Sequence, residues 1–157
     1  MIRSELLRYI LSGIGAVAVQ VILLRHLTIF NAQSDLVLIF TLWICTKRSK
    51  TEVILLTAFV AFFQDALTDL WGLNLFTKVL TVFVLYNFLN RTSENQFLVW
   101  QIFLIVLGAS FLHNIIFYIV SSLTGTYASE YVVISLLLVS SLFTAVLGSF
   151  LHLVRSR

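Results

Sequence analysis

The sequence predicts an all-α integral membrane protein of six transmembrane helices with both termini cytoplasmic. Three observations lead there. Of 157 residues, 60% are hydrophobic and 11% charged, against about 25% charged in soluble domains, and the mean hydropathy is +1.03. The apolar residues fall into six runs, about 9–24, 32–46, 53–71, 74–90, 97–123 and 131–154, which fill one domain. Finally, six crossings put eight of the ten Lys and Arg residues on one side, leaving only Arg25 and Lys78 toward the other.

The first run lies between Arg8 and Arg25 and reads as an uncleaved first helix, since no small-x-small cleavage site follows it. Its sixteen residues rise about 24 Å, so the flanking arginines must snorkel to reach both surfaces. Ser12 and Ala16, with Gly13 beside them, offer a small-residue face for close helix approach, and Gln20 calls for a hydrogen bond across an interface.

The second run is the weakest span, because its apolar part, residues 36–46, rises only about 16 Å. Parity argues for it nonetheless. The basic cluster Lys47, Arg48 and Lys50 and the pair Arg3 and Arg8 can share the cytoplasm only if two crossings separate them. Ser34 or Asp35 supplies N-cap chemistry at its start.

Residues 53–75 form the stretch around which the chain is organised. Eleven apolar residues lead into Gln64, Asp65 and Asp69, ahead of a break at Trp71 and Gly72. Aspartate at the centre of a membrane helix costs roughly 2.5–3.5 kcal/mol on insertion scales, so such residues face protein or water. The four-residue spacing sets Asp65 and Asp69 on one face. A turn at Gly72 makes a helical hairpin in which Asp69 and Lys78 stand at comparable depths, so an ion pair between them is one option, with Arg25 and His113 as the other pairing partners open to Asp65 and Asp69.

The fifth run is long enough to span with tilt and carries His113 and Asn114 in its outer half. The sixth repeats small residues at Ser141, Ala145 and Ser149, the spacing of a close helix contact. Asp35, Asp65, Asp69, Lys78, His113, Asn114 and Arg25 thus gather in the outer half as candidates for a polar cavity or a partner site. Their roles stay open between internal ion pairing, reception of a partner, and ion or substrate binding.

Several chemistries are disfavoured. Intramembrane aspartyl hydrolysis needs two carboxylates converging from different helices, whereas Asp65 and Asp69 share one. No Gly-x-Ser-x-Gly elbow surrounds Ser110, and His113 has too few ligand types near it for a metal site. The lone Cys45 permits no intrachain disulfide, and no basic face with interleaved aromatics suggests nucleic acid. No catalytic residue, metal or cofactor is expected.

The start MIR followed by an apolar helix with Gln20 near its end, Asp35-Leu36 opening the second helix, the short basic connector, and Phe63-Gln64-Asp65 followed by Gly72-Leu73 together resemble the bacterial rod shape-determining protein MreD family. Ser34 stands where that family usually has proline, and Ala58 and Ala61 where it usually has glycines. The resemblance implies a fold similar to the S components of energy-coupling-factor transporters and a place in the bacterial inner membrane. It also implies a non-enzymatic scaffold role in cell shape: binding to MreC and, through it, to MreB, RodA and a class B penicillin-binding protein of peptidoglycan synthesis. A membrane-embedded small-molecule-binding subunit of the S-component type is the alternative.

Overall fold

The computed structural model describes residues 2–24, 26, 32–92, 98–125, 133 and 135–156. Arg25 and Glu130 lie outside the described residues. Helix α1 (Ile2–Val19) continues into a π-helical turn, Gln20–Leu24. It is followed by α2 (Leu36–Cys45), α3 (Lys50–Thr68), α4 (Leu73–Thr92) and α5 (Val99–Leu123). A second π-helical turn, Ser135–Ser140, leads into α6 (Ser141–Ser156).

Five helical stretches are long and apolar enough to cross a membrane: Glu5–Leu24, Lys50–Thr68, Leu73–Arg91, Val99–Leu123 and Leu137–Val154. The sixth helix, α2, has ten residues and rises about 15 Å, roughly half a hydrocarbon core. Residues 33–35, expected within the second span, are not helical and lead into Leu36. Helix α1 starts well before the expected residue 9, carrying Arg8 on its exposed side, and α3 begins at Lys50 rather than Val53.

The shortest helix holds the centre. Helix α2 touches each of the other five, and Val37, Leu38, Ile44 and Cys45 on it are fully buried. Toward the connector that carries Lys47, Arg48 and Lys50 the interior is apolar, built from Leu42, Ile44, Cys45, Val53, Leu56, Val82, Tyr86 and Leu89. That end is tied to the start of α1: Arg48 pairs with Glu5 and lies 4.9 Å from the centre of the Tyr9 ring, and the Tyr86 hydroxyl donates to the Arg48 carbonyl.

Small residues set two close approaches. Gly13 packs against α2 and α3 so tightly that a Cβ would stand 2.5 Å from Val60 Cγ2 and 2.9 Å from Phe40 Cε1. Gly148 on α6 lies against Val106 of α5, with a Cβ position 3.1 Å away. The expected small-residue faces are therefore shifted. Ser12 is exposed and bonds its own helix at Tyr9, Ala16 is half-buried, and Ser149 is half-buried and bonds back to Ala145. The packed stripe of α6 runs through Ser141, Ala145 and Gly148.

A buried polar cluster as the candidate functional site

The half of the bundle away from the basic connector is lined with polar side chains, and most of them trace to the problem that α2 poses. A non-helical segment deep in the bundle exposes backbone amides and carbonyls that lipid cannot satisfy, and such backbone is tolerated only where protein or a water-filled cavity surrounds it. Gln20, in the first π-helical turn, donates from Nε2 to the Ser34 carbonyl at 2.9 Å and accepts from the Leu36 amide at 2.6 Å. Ser140, in the second π-helical turn, donates to the Gln33 carbonyl at 2.6 Å. Thr144 accepts from the Asp35 amide at 3.0 Å. Both π-helical turns thus deliver a side chain to the same extended segment.

Asp35 is the hub. Its Oδ1 accepts from the Leu38 amide at 2.8 Å, capping α2. Its Oδ2 accepts from Nζ of Lys78 on α4 and lies 3.5 Å from Nε2 of His113 on α5. The Lys78 side chain is fully buried, and that of Asp35 is 14% exposed. Lys78 Nζ also reaches Asn74 Oδ1 at 3.4 Å, and His113 Nδ1 lies 3.5 Å from the Thr81 hydroxyl. Asn114, the residue after His113, donates to Ser141 Oγ at 2.9 Å and joins α5 to α6. A cation, an anion and an imidazole from three helices therefore meet at the start of the central one.

The two aspartates of α3 part company. Asp65 is buried and closes the hairpin to α4: Oδ1 accepts from the Asn74 amide at 3.0 Å and from Asn74 Nδ2 at 2.9 Å, and Oδ2 accepts from the Leu75 amide at 2.8 Å. It satisfies amides at the start of α4, where the helix dipole also favours a negative charge. Asp69 lies beyond the last turn of α3 with φ of 60°, exposed, and its Oδ1 accepts from Trp71 Nε1 at 3.0 Å. Helical geometry would have put both carboxylates on one face, but the chain leaves the helix at Asp69. Of the pairings open to Lys78, that with Asp69 is not made, and Lys78 pairs with Asp35 instead.

Among the described residues, four buried side-chain atoms lack a hydrogen-bond partner: Ser34 Oγ, Thr57 Oγ1, Gln64 Oε1 and Ser110 Oγ. No group of three or more His, Cys, Asp or Glu side chains suited to a metal ion occurs among the described residues. Residues that sequence reasoning passed over are Asn74, Thr81, Ser140 and Thr144. Their helical spacing from Lys78 or Ser141, at i−4, i+3, i−1 and i+3, was the signal that could have found them.

Fold and cluster define a helical bundle with several membrane-length apolar helices, consistent with a multi-pass membrane protein, braced by an internal charged network. No family model matches the chain, and neither a curated protein nor a solved structure does.

Proposed function

We propose that this chain is a non-enzymatic scaffold of the MreD kind in the bacterial cytoplasmic membrane, binding MreC and helping to organise the enzymes of wall elongation. In this reading α2 and residues 32–35 together make the second of six crossings, and both termini lie in the cytoplasm. The Arg48–Glu5 contact supports that parity, because it joins the start of α1 to the connector after α2 at one end of the bundle.

The observation that carries the non-enzymatic reading is the saturation of the two buried carboxylates. Asp35 and Asp65 each have both oxygens engaged by the protein's own donors, which leaves neither as a free acid or base for a reacting water. A ligand would have to displace bonds on which α2 and α4 depend. The partner names rest on the resemblance of residues described above.

The test is affinity purification of the tagged chain from native membranes in mild detergent, beside deletion of its gene in the host. Enrichment of MreC together with loss of rod shape, restored by the wild-type chain, is the expected result. Rod-shaped deletion cells with no MreC in the eluate would refute it. The S-component alternative draws on the unpartnered atoms of Ser34, Gln64 and Ser110. Its expected signature is a stoichiometric metabolite released on denaturing the purified protein.

A further inference from the structure

At the end of the bundle opposite the basic connector, the α3–α4 turn and the last turn of α5 enclose an open groove of about 350 Å³, lined by Asp69, Leu70, Trp71, Leu73, Val120 and Thr124 among others. Its chemistry is uneven. Among the described residues, Asp69 is the only charged one in the lining, and its Oδ2 has no partner. Trp71 is 89% exposed and, among the described residues, held only at its indole nitrogen, so its ring is open to a ligand. Leu123, at the end of α5, is 83% exposed, and Phe76 and Ile119 are exposed on the helices that descend from the groove.

We propose that this groove binds the headgroup of a zwitterionic phospholipid carrying a primary ammonium, of the phosphatidylethanolamine class. The position suits an interfacial ligand, since tryptophan concentrates where a membrane meets water and this turn joins two helices of membrane length. The charge selects the headgroup. A carboxylate beside an open indole attracts an ammonium through a charge-assisted hydrogen bond and a cation–π contact. The same carboxylate repels a headgroup that offers only a phosphate. The amides that open α4 are engaged within the protein and offer an anion nothing: the Leu73 amide is bonded to the Leu70 carbonyl, and the Asn74 and Leu75 amides to Asp65. The acyl chains follow the apolar surface that Phe76 and Ile119 continue toward the bilayer interior.

This inference goes beyond the scaffold role and does not depend on it. The test is native mass spectrometry of protein extracted from vesicles of equimolar phosphatidylethanolamine and phosphatidylglycerol. Wild type is expected to retain the ethanolamine lipid in preference to the glycerol lipid. D69N removes only the charge, because asparagine accepts left-handed backbone and keeps an acceptor for the Trp71 indole. It is expected to reduce the preference by about twofold to fivefold, the scale of one solvent-accessible ion pair. Trp71→Leu, which keeps the carboxylate and removes the π face, is expected to act in the same direction. Equal retention of the two lipids by wild type, or an unchanged preference in both variants, would overturn the proposal.

Discussion

The ion pair between Lys78 and Asp35 allows a quantitative test, because each partner has a substitute that removes charge and little else. Lys78→Met keeps the length of a side chain that is fully buried, and Asp35→Asn keeps an N-cap acceptor for the Leu38 amide. Either single change leaves one buried charge without its opposite, a loss of about 3–5 kcal/mol for buried pairs. The lower end fits Lys78→Met, since the Asp35 side chain keeps 14% of its exposure and the Leu38 amide still donates to it. The upper end fits Asp35→Asn, because among the described residues the stranded ammonium then keeps only Asn74 Oδ1, at 3.4 Å. The double variant removes both charges and should fall within about 1–2 kcal/mol of wild type, which puts the coupling between the two sites at about 6–7 kcal/mol. Unfolding by dodecyl sulfate titration in mixed micelles, followed by circular dichroism, gives these differences from a reference in which a freed Lys78 can extend its ammonium to water. If the losses simply add in the double variant, the pair is not coupled and the reading of Asp35 as the hub of the cluster is refuted.

Other substitutions probe the packing and the caps with the same titration. Gly13→Ala should destabilise by about 1–3 kcal/mol because its methyl meets Val60 and Phe40, whereas Gly15→Ala, with open space around it, should be neutral or gain up to about 1 kcal/mol. Asp65→Ala should cost about 2–4 kcal/mol by orphaning the Asn74 and Leu75 amides, and Asp65→Asn clearly less, since it still offers one acceptor. Gln20→Leu should cost about 2–4 kcal/mol, because it frees the Ser34 carbonyl and the Leu36 amide inside the bundle; a loss below about 0.5 kcal/mol would show that water reaches that segment.

The helical class and the sorting of polar residues toward one half were legible in the sequence because hydropathy and charge are summed over long segments. Asp35, Lys78, His113 and Asn114 could be placed at similar depth from rise per residue alone, and all four meet partners in the cluster. Which carboxylate Lys78 would choose was not legible. Asp69 sits after the last α-helical residue of α3, and one residue in left-handed conformation turns its side chain away from the face that period 3.6 assigns to it. Gln20 was recognised as needing a partner across an interface, but its partners are backbone groups, and no side-chain pattern encodes those. Both π-helical turns were equally invisible, since a one-residue shift in hydrogen bonding leaves apolar composition unchanged.

The shortness of α2 links these observations. A ten-residue helix rises only about 15 Å, and residues 33–35 lead into it through the bundle in a form without internal hydrogen bonds. Each exposed amide and carbonyl then requires a donor or acceptor from a neighbour, and Gln20, Ser140 and Thr144 meet that requirement from α1 and the α6 end of the chain. Asp35 must cap the helix, which puts a carboxylate at depth, and a carboxylate at depth requires a cation, which Lys78 provides with His113 alongside. The meeting of Asp35, Lys78 and His113, which the sequence offers as part of a polar cavity or partner site, is thus accounted for by one structural need. The proposed lipid site lies instead on the outside of the bundle, where the Asp69 and Trp71 groove combines a carboxylate oxygen that has no partner among the described residues with an open aromatic face.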